Sequence, residues 1–403
     1  MGDLKKEIER INKEFYKSDQ ILGRNIMTMA NRINSSRANM FSGESDQVVN
    51  PKEPDFPGVY TNYENLVGKR SSAYYRAESD YDVMEKIVKY PDFEKDSVYI
   101  LIIKDKKSGV YDIIEKRYGE QKTETYGYKY NNEKLDSLSK GDEIQKDDIL
   151  YRSTSFDEDM NYRLGLNAKV MYGSDPMSIE DGMIFSRTFS RRMCHIEYDV
   201  VSISINDNDL MLNWYGDKKF YKAHPDIGEE LKDSTLAGLR RIDYSRAFYD
   251  LKDENMRKEL SSDTAFYVPF SKDKVVDINI RCNKNPDEIP ETPYNRQLLY
   301  YIREQEKYYK KLLKVLENIV ENEEYTDDLA FMYSRVKNIC DDDYVWEDQN
   351  KKVFGNIKME FLIEKGVSMP KGGKACGRYG DKGKMLLENF INYWKNYNSI
   401  SAA

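Results

Sequence analysis

Apolar residues return every three or four positions from Leu4 to Ile33 (Leu4, Ile8, Ile11, Phe15, then Leu22, Ile26, Met29, Ile33). That spacing predicts one or two amphipathic helices, each packing one face on a core. The Gly-, Pro- and Asn-bearing stretch that follows through Pro57 predicts an irregular connection. The pattern then changes period. Apolar, β-branched runs at 98–104 and 110–114 flank Lys107-Ser108-Gly109, which predicts a hairpin. Alternation continues over 123–130, and Lys140-Gly141-Asp142 followed by Ile149-Leu150-Tyr151 predicts another turn and strand. The first half is therefore expected to be β-rich with short connections. Beyond Arg191, short strands at 200–205 and 275–280 are separated by polar loops. A long charged helix follows over 294–322, with Leu298, Ile302, Tyr309, Leu312, Leu316 and Ile319 at helical spacing, interrupted at Gln305. It either pairs with 329–339 in a projecting helical hairpin or lies on its own sheet.

Composition narrows what such a chain does. Its 403 residues hold 63 Lys+Arg against 71 Asp+Glu, a net charge of −8, with 33 Tyr, 2 His and 4 Cys. No stretch approaches the ~18 apolar residues of a membrane span, and Met1 to Arg10 is too charged for a signal peptide. Cys194, Cys282, Cys340 and Cys376 form no CxxC pair, so neither a zinc ribbon nor a disulfide scaffold is expected. His195 and His224 are too few for a histidine-based metal centre. The acidic total argues against a simple nucleic-acid coating protein.

Local chemistry is concentrated in a few places. Between Lys371 and Lys384 stand Lys371, Lys374, Arg378, Lys382 and Lys384 against the single anion Asp381, interleaved with Gly372, Gly373, Gly377, Gly380 and Gly383. Glycine lets backbone approach a ligand closely, and clustered amides with ammonium groups suit phosphate oxygens. A flexible basic loop is the plainer alternative, and no Gly-Lys-Ser/Thr opens a helix there as in a Walker loop. Glu180-Asp181-Gly182 precedes an apolar run; adjacent carboxylates on an extended chain point to opposite faces and seldom chelate one metal together. The acidic clusters at 206–209 and 341–343 are expected to be surface loops without calcium-loop spacing. Arg37, in Ser35-Ser36-Arg37-Ala38-Asn39-Met40, is either a phosphate-binding guanidinium or a helix-end salt-bridge partner.

Taken in order, these segments resemble one family. Gly377-Arg378-Tyr379-Gly380-Asp381-Lys382-Gly383, with Lys374 just upstream, resembles the G-D-K-M-A-G-R-H-G-N-K-G segment of the beta subunit of multisubunit DNA-directed RNA polymerases. Arg37 to Gln47 is similar to R-A-L-M-G-x-N-M-Q-R-Q, and Leu66-Val67-Gly68 to the P-L-V-G after it. Lys140-Gly141-Asp142 resembles K-G-D, and residues 164–171 resemble L-A-L-G-x-N-x-x-V-A-F. Residues 179–186 resemble N-F-E-D-A-I-V-I-S. The likeness spans Arg37 to Lys384 and is loose over 191–353, where Gly228 to Asp233 and Leu239-Arg240-Arg241 faintly resemble the family's flap.

The resemblance implies an α+β, β-rich fold: part of a double-psi β-barrel with a flap-like insertion carrying the long helix. The implied layout is 1–95 for N-terminal helices and the Arg37 motif, 96–190 for β-hairpins and the first part of the barrel, 191–351 for the insertion, and 352–403 for the second part. It implies that Lys374 and Lys382 reach the RNA 3′ end and the incoming nucleotide, and that Arg37 neutralises the triphosphate. Arg378 and Gln47 join them as nucleotide-binding residues. Glu180 and Asp181 stand beside a second magnesium ion, with Asp181 an indirect ligand, while a partner chain holds the magnesium. Tyr379 replaces the family's His, and Gly182 and Tyr172 alter the surroundings of the acidic pair. The N-A-D-F-D-G-D motif of the beta-prime subunit is missing from the sequence, so the chain is expected to be inactive alone. It looks like one piece of a beta subunit divided among several chains, as in large bacteriophages, acting in the host cytoplasm or virion. It starts just upstream of the Arg37 segment, and its end soon after Lys382 is expected to reflect a gene split, an intervening element or a truncation. Implied partners are further beta fragments, beta-prime-like chains, template DNA, RNA, nucleoside triphosphates and a promoter-specificity factor docked on the 294–339 helices; no membrane is implied. The competing class is a non-catalytic phage structural or scaffold protein derived from a polymerase subunit.

Overall fold

The run Tyr99-Ile100-Leu101-Ile102-Ile103 has no polar face, so a strand of that sequence has to be covered on both sides. A computed structural model of the chain describes residues 33–47, 50–58, 64, 74–123, 126–163, 165–170, 176, 183–206, 209–241, 262–267, 273–282, 289–341 and 357–368. In it, all five of these side chains are buried. The fold is mixed α/β, dominated by curled antiparallel sheets. The chain divides into two compact units: a smaller one of Met1–Ser72, Thr154–His195 and Ser368–Ala403, and a larger one of Ala73–Ser153 and Ile196–Val367.

The larger unit holds the sheets. β1 (Tyr74–Arg76), β2 (Tyr81–Val88), β3 (Tyr99–Asp105), β4 (Tyr111–Glu115), β5 (Gly119–Thr123), β6 (Tyr126–Asn131), β7 (Glu143–Ile144) and β8 (Ile149–Ser153) come from its first segment. β9 (Cys194–Ile205), β10 (Asp209–Met211), β11 (Thr235–Arg241), β12 (Ser262–Tyr267), β13 (Lys274–Cys282) and β14 (Ile357–Ser368) follow. One sheet runs β1-β8-β6-β9-β14-β13 with β5 added to β6, another β4-β3-β2-β7, and a third β10-β11-β12. Strands from the 96–190 and 191–351 portions thus share a sheet. The expected hairpin is β3–β4, closed by Gly109 at φ +76°, where any other residue is strained. Asp209 is not on a free surface loop: it opens edge strand β10, and Arg241 donates to both carboxylate oxygens (2.9 and 3.2 Å).

Alternate residues of β3 serve two cores. Tyr99, Leu101 and Ile103 pack with Val83, Leu135 of the short helix α2 (Glu133–Ser137), Ile144 and Leu150, whereas Ile100 and Ile102 join Ile87 beneath two helices. α4 (Arg296–Asn322) and α5 (Asp327–Cys340) are the last helices of this unit, about 40 Å and 21 Å long at 1.5 Å per residue. The two pack together as a helical hairpin, and α4 also lies on β2 and β13, so the pairing and the sheet packing are realised together and the hairpin does not project free. The interruption of the α4 stripe at Gln305 has a structural cause. Leu298, Tyr301 and Ile302 face a core built on β9, β11, β13 and β14, while Tyr308, Leu312, Leu316 and Ile319 face the β2–β3 core. Between them Gln305 clamps strand β13: Ile280 N donates to its Oε1 (3.0 Å) and its Nε2 donates to Ile280 O (2.7 Å). A side-chain amide thereby pairs the edge of β13 that faces away from β14, where no further described strand is added. Thr326 caps α5 by accepting Leu329 N (3.3 Å).

Two buried titratable groups oppose each other in this unit. His224 is fully buried between the rings of Tyr301 and Phe361 (centroids 5.4 and 5.2 Å), with Nδ1 2.9 Å from Pro225 O and Nε2 unpartnered. Burial pushes its pKa down to about 4. The unfolded chain therefore binds more protons than the folded one between about pH 4 and 6.5, and stability is lost as pH falls through that window. Over the whole window His224 costs about 3 kcal/mol. Asp273 is fully buried with neither carboxylate oxygen bonded, and burial raises it to about 6, Lys365 opposing. Its contribution has the other sign: stability falls as pH rises from 3.8 through about 6. His224→Phe should shrink the loss of stability between about pH 7 and pH 4.5, and Asp273→Asn should stabilise the protein at neutral pH. Urea midpoints of both variants at the two pH values check this; midpoints that track the wild type throughout contradict it.

Candidate functional site

Of the expected site residues, Arg37 and Gln47 fall on described backbone. Both belong to α1 (Ser35–Gln47), where the sequence predicts an irregular connection; this expectation is corrected. The helix has hardly any apolar stripe, so periodicity does not reveal it. Its start is set by Asn34, whose Oδ1 accepts the Ser36 N–H (3.0 Å) and hydroxyl (2.7 Å), and Ala38 N then donates to Asn34 O (2.9 Å). Arg37 is exposed and neighbours the exposed Met40 one turn on. About 15 Å of helix axis separates Arg37 from Gln47. Lys374, Arg378, Lys382, Glu180 and Asp181 lie outside the described residues, as do Tyr379, Tyr172 and Gly182.

The described residues of the smaller unit form a clasp that sequence reasoning missed. Residues 50–58 are tied to described parts of 155–194, first by Lys52 N donating to Cys194 O (2.6 Å) and Asp55 N to Gly165 O (2.9 Å). Asn167, inside the 164–171 segment, acts as a surrogate backbone: Gly58 N donates to its Oδ1 (3.1 Å) and its Nδ2 donates to Phe56 O (2.7 Å). Asp55 closes the clasp, accepting from Asn167 N (2.9 Å) and Arg192 Nη2 (2.7 Å). Arg192 ends α3 (Arg187–Arg192), capped by Ser186 Oγ accepting Phe189 N (3.2 Å). Ser186 is the last residue of the 179–186 segment, so the described end of that segment is a helix cap. Arg187 and Arg191, four residues apart on α3, are exposed and stand on one side of it. The R-x-x-x-R spacing was the available signal. Farther along, Asn50 Nδ2 donates to Tyr162 OH (2.9 Å), and Tyr162 N donates to Glu64 O (3.3 Å).

Burial raises the thiols of Cys194 and Cys340, which keeps both protonated and unreactive. Among the described residues no group of three or more His, Cys, Asp or Glu could hold a metal ion. No described helix is long and apolar enough to cross a membrane. In the smaller unit Ile33, Met40, Phe56, Val170, Met183 and Ile184 are exposed. No protein-family model matches the chain, and no curated protein is significantly similar to it.

Proposed function

We propose that this chain is one piece of the beta subunit of a multi-chain DNA-dependent RNA polymerase, inactive alone, that supplies contacts to the nucleoside triphosphate and the RNA 3′ end during nucleotidyl transfer. The observation that carries the proposal is which parts of the chain belong together. The described parts of the polymerase-like segments, 37–47, 165–170 and 183–186, are split by a long interval of chain, yet all of them belong to the smaller unit. Lys140-Gly141-Asp142 is the exception and belongs to the larger one. The exposed apolar residues of the smaller unit add support, because a fragment of a larger subunit has surfaces that partner chains cover.

The chemistry asked of these residues is positioning and charge neutralisation, which is most of what phosphoryl transfer requires. Lys374 and Lys382 hold the RNA 3′ end and the incoming phosphates, Arg37 takes up triphosphate charge, and Arg378 and Gln47 assist. Magnesium, held mainly by a partner chain, supplies further neutralisation when bound, with Glu180 and Asp181 nearby. The double-psi barrel belongs to the same proposal: β6, β8 and β14 share a sheet and furnish its strands, and residues 191–351 are the flap-like insertion. The setting is then the host cytoplasm or the virion of a large phage. Affinity purification of the full chain from the cells that make it should recover chains completing beta and one bearing the N-A-D-F-D-G-D motif. Recovery as a stable monomer without such chains contradicts the proposal and favours a structural protein.

A further inference from the structure

One surface of the larger unit is built to hold aromatic side chains out in solvent. Residues 213–222 form a loop braced by its own polar groups. Asn213 Oδ1 accepts Gly216 N (3.1 Å) and Lys222 N (2.9 Å), while its Nδ2 donates to Asp217 O (2.9 Å). Asp217 Oδ1 accepts Lys219 N and Phe220 N (both 2.7 Å), and Asp217 N donates to Phe220 O (2.9 Å). No side chain is possible at Gly216, since its Cβ would stand 2.1 Å from Phe220 O. Tyr215 anchors the loop from below, its hydroxyl donating to Thr235 O (2.5 Å). On this rigid support Phe220 is 72% exposed and Trp214 38%. Tyr294, 57% exposed, extends the aromatic surface by packing edge-on to Tyr221 with centroids 5.1 Å apart.

Beside these rings two lysines outnumber the loop's one carboxylate, Asp217, which is turned onto the backbone amides of Lys219 and Phe220. Lys218 and Lys219 are exposed and make no ion pair among the described residues, unlike Lys222, which is paired with Asp226 and Glu229, or Arg240, paired with Asp263. Large apolar rings held in solvent cost free energy, and pre-organising them is the feature of a binding surface. Flat rings beside free ammonium groups match a ligand that alternates planar bases with phosphates.

We propose that this loop binds single-stranded nucleic acid, with bases stacked on Phe220 and Trp214 and phosphates against Lys218 and Lys219. The proposal goes beyond the polymerase assignment and does not depend on it: the loop lies in the 191–351 portion, where the likeness is loose, and none of the segments at 37–47, 66–68, 140–142, 164–171, 179–186 or 371–384 contributes a residue. The test is fluorescence anisotropy of a labelled oligouridylate with the full chain at two salt concentrations. Phe220→Ala and Trp214→Ala should each weaken binding roughly tenfold, and Phe220→Tyr, which keeps the ring, should not. Lys218→Glu with Lys219→Glu should weaken binding and lower the salt slope by roughly one to two. The losses should persist in a Lys374→Ala, Lys382→Ala background. Wild-type affinity in the Phe220→Ala and Trp214→Ala variants overturns the proposal, as does loss of a protein partner in place of the oligonucleotide. If those variants bind normally while Lys374→Ala abolishes RNA extension, the loop proposal falls and the polymerase assignment stands.

Discussion

Replacing Asp277 by alanine is expected to destabilise the larger unit by about 3–5 kcal/mol, the largest effect on stability anticipated for a single side chain. Lys89 is 3% exposed, and every donor of its ammonium group is committed. Nζ donates to Asp277 Oδ1 (2.9 Å) and Oδ2 (3.0 Å), to Ile278 O (3.0 Å) and to Asn279 Oδ1 (2.6 Å). Asp277 and Asn279 are two apart on β13 and so present to the same face. The cluster joins the end of β2 to β13 across the unit, and Tyr90 reinforces it by donating to Ile278 O (2.6 Å). Removing the carboxylate leaves a buried cation with neutral partners alone, and that uncompensated charge is what costs stability. The pair itself need not be worth as much: Lys89→Met combined with Asp277→Leu should recover most of the loss. Urea titration of the single and double variants separates the two. A single variant within about 0.5 kcal/mol of wild type contradicts the burial of this charge.

Which parts were legible follows from how far each cause lies along the chain. The β3–β4 hairpin could be read because its apolar run and its Lys107-Ser108-Gly109 turn are adjacent. The α4 stripe was legible for the same reason, its repeat being local. Gln305 looked like a defect, because its partner Ile280 is 25 residues away and only the edge position of β13 gives the amide a purpose. Helix α1 was hidden since Asn34 starts it without an apolar face to announce it. The clasp was invisible: Asp55 meets Asn167 and Arg192 across 112 and 137 residues, and no local pattern encodes such pairings. Of the site, the residue types could be read as phosphate chemistry, but five of the seven expected site residues lie outside the described part of the fold.

The second large effect is catalytic. In a complex that contains the full chain, Lys374→Ala or Lys382→Ala should leave assembly intact and slow nucleotide addition roughly 100- to 1,000-fold each. The magnitude is that of removing one pre-organised donor from charge that develops during transfer. Lysine is a point charge, so arginine at either position should restore only part of the rate. Arg37→Ala should act differently, raising the nucleoside triphosphate concentration needed for half-maximal rate, because triphosphate charge is present before the reaction begins. Rapid-quench extension of a primed RNA gives the rate constants, and gel filtration verifies assembly. Unchanged extension rates in both lysine variants would remove their assigned role.

The most direct measurement is extension of a primed RNA by whatever complex a tag on this chain retrieves. If the chain is a beta fragment, that complex adds template-directed nucleotides in the presence of magnesium, and the Lys374→Ala, Lys382→Ala form of the same complex does not. A retrieved assembly that adds no nucleotides and holds no chain with the magnesium-binding Asp motif would contradict the assignment.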